Sequence, residues 1–163
     1  MNTHQKIVLS LALILSLLTA CNKHNTVYIE FRTPEANGWN KDSIYSFPFA
    51  ISDTAIGYDI MLYLRHTECY PYQNMWLFVS RCDAGQTIPY MRDTLEFYLA
   101  DDRGQWLGNG RNGLIEMPVI YEQNLHFKDT GTYTLRLQQG MRMDILPGIN
   151  DIGVEVTKNY GKE

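Results

Sequence analysis

The sequence predicts an all-β domain, an antiparallel β-sandwich of immunoglobulin-like or jelly-roll-like kind, and three observations predict it. Short segments with alternating apolar residues recur at near-regular spacing, separated by Gly, Pro, Asn and Asp. That is the pattern of strands with one buried face joined by turns. No segment of the mature chain sustains an apolar period of three to four residues, so helices are not expected. Finally, Asp129-Thr130-Gly131 hands over directly to a strand in which Tyr133, Leu135 and Leu137 share one face. Asp, Gly and Tyr at that spacing resemble the tyrosine corner of β-sandwiches, where the phenol hydroxyl bonds upstream backbone and pins a connection between sheets. An antibody-type domain would carry cysteine two residues after the tyrosine. Leu135 stands there, which excludes that narrower class.

The first residues stand outside this fold. His4 and Lys6 form a short polar head, and Ile7 to Leu18 is an apolar run that ends in Leu18-Thr19-Ala20-Cys21. The run is shorter than the roughly 20 residues of a membrane-spanning helix. Leu-Thr-Ala-Cys resembles the bacterial lipobox, cleaved before Cys21. That resemblance implies a diacylglyceryl thioether on Cys21, usually with a third acyl chain on its amine, and two or more chains anchor a protein stably. Residues 1–20 are therefore a lipoprotein signal peptide, 21–26 a lipidated tether and 27–163 a single β-sandwich domain, long enough for a real core.

Of 163 residues, 18 are acidic and 14 are Lys or Arg, for a formal charge of −4, and loss of Lys6 makes the mature chain one unit more negative. The balance argues against nucleic acid, whose phosphates are held by clustered Lys and Arg. No basic run suggests electrostatic membrane docking, which leaves membrane attachment to the lipid. With Cys21 acylated, Cys69 and Cys82 remain for a disulfide. If they flank a simple hairpin turning at Tyr70 to Asn74, Cys82 lies roughly 25 Å from Cys69. A disulfide needs Cα atoms within about 7 Å, so two reduced, partly buried cysteines are expected.

Taken in order, Val27 to Phe31 alternates as a first strand, and Thr33 to Asp42 is a loop carrying Trp39. Ile44 to Ile51 points Phe47, Phe49 and Ile51 inward, and Pro48 makes it an edge strand, because proline cannot donate to a ladder. Tyr58 to His66 sets Tyr58, Ile60, Leu62 and Leu64 on one face. Tyr70 to Asn74 is a turn, and Met75 to Ser80 an apolar central strand. After a turn at Asp83 to Gln86, Asp93 to Leu99 offers Leu95, Phe97 and Leu99 inward. Asp101 to Gly104 is a hairpin turn into Gln105-Trp106-Leu107. Gly108 to Gly113, with three glycines and two asparagines, needs positive φ angles or close backbone approach. Leu114 to Tyr121 is a weaker strand broken by Pro118. Gly140 to Gly148 is a long connection before a last strand at Ile152, Val154 and Val156.

Chemistry-bearing residues are scattered. His24, His66 and His126 have no second ligand at metal spacing, so no metal or other cofactor is expected. Asp101 and Asp102 beside a Gly- and Asn-rich loop have the oxygens for calcium, but turns require the same residues. Glu96, Glu116 and Glu122 could supply a glycosidase pair, yet nothing fixes their separation. Ser43, Ser46, Ser52 and Ser80 lack a nucleophile-elbow context. The expectation is a protein that is not an enzyme. Aromatics in or beside loops are the remaining signal: Trp39, Tyr70, Tyr72 and Trp106 could anchor a partner protein or stack on sugars, or else plug the ends of the sandwich. Trp106, with Asp101 and Asp102 opening the same excursion, is the leading partner-binding candidate, followed by Trp39 and Tyr72.

Several pieces recur in one order along nearly the whole chain. They are the lipobox at Cys21, Gly38-Trp39 with Asp42, and Tyr70-Pro71-Tyr72 with Asn74. Asp93-Thr94-Leu95-Glu96 and Gly104-Gln105-Trp106-Leu107-Gly108 follow. The last third adds Phe127, Gly131-Thr132-Tyr133, Gln139, Met141-Arg142, and Leu146-Pro147-Gly148 with Asp151 and Gly153. The ordered set resembles the GldH gliding-motility lipoproteins of the Bacteroidetes. The resemblance implies a non-catalytic accessory lipoprotein of the cell envelope, at the outer membrane and facing the periplasm. Its partners would be envelope proteins of the gliding or associated secretion machinery. It supplies no catalytic residues. A carbohydrate-binding lipoprotein, with a glycan as partner, is the alternative that a lipid-anchored sandwich with loop aromatics also suits.

Overall fold

A computed structural model describes residues 25–161; the expected signal peptide, the expected lipidation site Cys21 and His24 lie outside the described residues. The chain runs β1 (Thr26–Arg32), β2 (Trp39–Asn40), β3 (Tyr45–Ile51), β4 (Gly57–Thr67), β5 (Asn74–Cys82), β6 (Met91–Tyr98), β7 (Asn109–Arg111), β8 (Leu114–Leu125), β9 (Gly131–Gln139), β10 (Ile145–Leu146) and β11 (Ile149–Asn159). A five-stranded sheet, β1-β11-β4-β8-β7, faces a four-stranded one, β3-β9-β5-β6, and β10 pairs with β2 in a small third sheet. Every pairing is antiparallel. The fold is the expected β-sandwich.

Alternation builds the core. Tyr58, Ile60, Leu62 and Leu64 on β4, with Ile152, Val154 and Val156 on β11, meet Phe47, Phe49 and Ile51 on β3, Met75, Leu77 and Val79 on β5, and Tyr133, Leu135 and Leu137 on β9. Pro48 does sit on an edge strand, since β3 pairs only with β9.

Several connections join one sheet to the other, and three are held by tyrosines. Tyr133 Oη donates to the Asp129 carbonyl at 2.9 Å across the β8–β9 connection, which is the predicted corner. Tyr58 Oη does the same to the Asp53 carbonyl at 2.8 Å between β3 and β4. Tyr70 Oη donates forward to the Asn74 carbonyl at 2.8 Å between β4 and β5.

The last of these corrects one expectation. β4 and β5 lie in different sheets, so Tyr70 to Asn74 is a crossover rather than a hairpin turn. Cys69 and Cys82 are both free thiols, the first exposed and the second buried under the Thr87 carbonyl. Two further expectations change. Trp39 is not a loop aromatic: it opens β2, pairs with Leu146 and is wholly buried. Pro118 does not break its strand either. β8 runs through it to Leu125, because β7 stops opposite Glu116 and leaves Pro118 where the sheet has an open edge. The Gly- and Asn-rich stretch resolves into β7 and a two-residue turn, with Asn112 at φ 53° and Gly113 at φ 79°. Asn-Gly with both φ angles positive is the hairpin turn whose twist matches the strands it joins.

Candidate functional site

The predicted partner-binding residues are not brought together. Trp39 lies in the core with Nε1 donating to the Ser43 carbonyl at 3.1 Å, and it has no surface to offer. Asp101 spends its carboxylate on its own turn, accepting from the backbone N–H of Arg103 at 2.9 Å and of Gln105 at 2.8 Å, while Asp102 beside it is exposed. Trp106 turns inward: it bridges to Ala100 and sets its indole edge-on to the buried His66, with ring centroids 4.5 Å apart. Leu107, which follows it and pairs back to the Leu99 carbonyl at the base of the hairpin, is exposed in place of the indole. Burial in an apolar setting lowers the His66 pKa, opposed by the Nδ1 contact to the Thr67 carbonyl at 3.0 Å. That contact makes Nδ1 the protonated nitrogen, and buried Nε2 has no partner. Tyr72 alone among the candidates lines a surface depression.

That depression belongs to the outer face of the four-stranded sheet. Successive rows across the strands can be read from the register. Ser46, Arg136, Ser80 and Arg92 form one row. Gln138, Phe78 and Thr94 form the next, with Ile44 at its end. Trp76 and Glu96 follow, then Asn74 and Tyr98. Gly140, with no side chain, donates its N–H to the Trp76 carbonyl at 2.7 Å and leaves the indole uncovered. Trp76, Phe78 and Tyr98 are 37%, 46% and 59% exposed, too much for three aromatics in neighbouring rows of one face to count as scattered surface residues. Two depressions of about 470 and 440 Å³ adjoin the aromatic ridge. The first has Phe78, Ile44, Arg92, Arg136 and Gln138 in its wall; the second has Tyr72, Trp76, Met141 and Arg142.

The opposite outer face exposes Ile29 and Ile120 but no aromatic ridge, and its central arginine is paired. Arg65 stacks over Phe31 at 4.0 Å and pairs with Glu116 at 2.6 Å and Asp151 at 3.8 Å. Tyr63 donates to Glu155 at 2.6 Å. Burial first, and then the bond and charge of Glu155, push its phenol up to about 12. Among the described residues no such partner exists on the four-stranded face: Arg92, Arg136 and Arg142 have no carboxylate at ion-pair distance.

No sequence feature singled out Trp76 or Phe78, because an apolar run in a central strand reads as buried on both sides. The usable signal was the mismatch between an all-antiparallel sandwich, which leaves outer faces wet, and a strand with apolar residues at both parities, its two aromatics on one of them. Of the three glutamates weighed as a glycosidase pair, Glu96 takes the Asn74 amide and Glu116 pairs with Arg65; they sit on opposite outer faces.

Comparison with known proteins bears on this geometry. The family model for the GldH lipoprotein matches residues 26–156. The gliding motility lipoprotein GldH homolog of Christiangramia forsetii is 30% identical over 151 residues, covering 88% of this chain and 90% of that protein. The gliding motility lipoprotein GldH of Flavobacterium johnsoniae is 31% identical over 148 residues, covering 86% and 89%. Among solved structures, an exo-β-1,3-galactanase from Phanerochaete chrysosporium aligns with a TM-score of 0.37 at 12% identity, over 79% of this chain and 26% of that one.

Proposed function

The chain belongs to the GldH lipoprotein family, and from that premise we propose that it is a non-catalytic accessory component of the gliding-motility and associated secretion machinery. It is held by acyl chains on Cys21 at the outer membrane, facing the periplasm, and it acts by contact with other envelope proteins. The observation that carries this reading is the uncovered ridge of Trp76, Phe78 and Tyr98 on the four-stranded face. An aromatic surface with half-exposed rings and none of the described residues over it is what a partner's apolar groups cover.

The glycan alternative rests on the same rings, since exposed aromatics also stack on sugars. Two experiments separate the readings. Affinity purification of the tagged lipoprotein from detergent-solubilised envelopes is expected to recover defined proteins in fixed ratio, and W76A/F78A to lose them while melting normally. Recovery that is indifferent to W76A/F78A, together with glycan-array binding that the double variant abolishes, would overturn protein contact in favour of sugar.

A further inference from the structure

We propose that the outer face of β3-β9-β5-β6 docks an extended acidic segment of a partner protein, laid along β5 with apolar side chains against Trp76 and Phe78 and carboxylates on Arg92, Arg136 and Arg142. The inference deepens the reading of this protein as a contact module and rests on it. Charge names the occupant. Three guanidiniums rim the two depressions, and among the described residues none has a carboxylate at ion-pair distance. Two acids lie nearby, Glu96, which accepts from the Asn74 amide at 2.7 Å, and Asp93, which lines the first depression and accepts from Tyr121 Oη at 2.6 Å; both keep their charge, against three arginines. In a chain of net charge −4, such a patch is not a by-product of excess base. Unpaired arginines beside aromatics suit bidentate capture of carboxylates.

Geometry favours a peptide over a sugar. Trp76 and Phe78 lie two residues apart on one strand face, roughly 7 Å, which is the i to i+2 repeat of an extended chain. The depressions are completed by Ile44 and Met141, aliphatic surfaces that match leucine or valine side chains better than hydroxyls. A sugar ring would instead ask for free amides around the stack. Here the Gln138 amide donates to the Lys41 carbonyl at 2.6 Å, and that of Asn74 is held by Glu96.

Photo-crosslinking in intact cells tests this with the full-length lipoprotein. A benzophenone amino acid replaces Phe78, or Ile120 on the five-stranded face, or Leu107 at the base of the Asp101–Gly104 hairpin. Adducts are digested and the captured peptide is sequenced. The expected result is a protein adduct at Phe78 that maps to a segment carrying Asp or Glu among apolar residues, with none at Ile120. R92Q/R136Q/R142Q is expected to lower its yield at least tenfold at unchanged melting temperature. R92Q/R142Q, confined to the two exposed arginines, serves if the triple variant folds poorly. A captured segment without acids, an adduct indifferent to the arginines, an adduct to glycan, or one to a second copy of this chain would each overturn the proposal. A protein adduct at Leu107 with none at Phe78 would reject this face and keep the contact function. Absence of protein adducts at all three positions would reject both.

Discussion

At the scale of single residues, two hydroxyl and ring contacts carry testable weight. Tyr133 is buried and its hydroxyl is satisfied by one carbonyl. Tyr133→Phe removes that bond and strands the acceptor, so chemical denaturation is expected to give a loss of about 0.5–1.5 kcal/mol at unchanged slope. Trp106 covers His66, so Trp106→Ala exposes a buried imidazole as well as leaving a void. The cost is expected to fall below the ~3–5 kcal/mol of a fully buried tryptophan and well above the ~0.5 kcal/mol of a surface change. A melting temperature within a degree of the parent would restore Trp106 as a contact residue. His66 adds a pH signature. Its folded pKa lies below the ordinary 6.5 because burial disfavours the cation. Between those values the unfolded chain binds more protons, so the stabilisation is present above 6.5 and is lost as pH falls through that window. His66→Phe is expected to flatten the fall in melting temperature between about pH 7.5 and 5.5, measured against the parent. The alternation that buries His66 was legible in the sequence; the inward turn of Trp106 was not, since a period says nothing of which way a two-sided hairpin folds.

Elements show where sequence patterns suffice and where they stop. β3, β4, β6 and β9 each have one apolar parity, and alternation alone marked their extent and their buried sides. β5 has apolar residues at both parities, so its outer face was invisible, and with it the candidate site. β2 and β10 have two residues each, too few for any period. Whether Tyr70 to Asn74 reverses the chain within a sheet or carries it across depends on partners far along the chain, and short-range pattern cannot decide it. The long connection after β9 packs against that same crossover. Gly148, at φ 80°, accepts on its carbonyl oxygen from Thr67 N–H at 2.8 Å, and a Cβ added to it would fall 2.5 Å from the Tyr70 backbone nitrogen. Gly148→Ala is expected to cost more than the ~1–2 kcal/mol of left-handed strain alone, because backbone rather than a flexible side chain must move. Thermal unfolding of the variant measures it, and a cost within ~0.5 kcal/mol would mean the crossover has slack.

For the whole molecule, membrane attachment and folding are separable. Cys21→Ala is expected to abolish acylation and release the protein from washed membranes, while the melting temperature of the domain stays that of the parent, since among the described residues the core begins at Val27. An alanine variant that sediments with membranes after a high-salt wash would contradict lipid attachment. The beginning of β1 at Thr26 has a mechanical consequence. However residues 22–25 are arranged, the chain from Cys21 to Thr26 spans at most ~18 Å. Thr26, Gly57, Leu125 and Asn159 stand at one end of the sandwich. β4, with eleven residues, sets its length at roughly 36 Å. With acyl chains on Cys21, as proposed, so short a mooring gives the domain a working height of about 50 Å above the bilayer. Trp76 and Arg142 sit towards the end away from the tether, beyond Arg92 and Cys82. Moored there, the lipoprotein could not fish for distant targets; whatever it held would already have to stand within one domain's length of the membrane, and holding it would fix that distance.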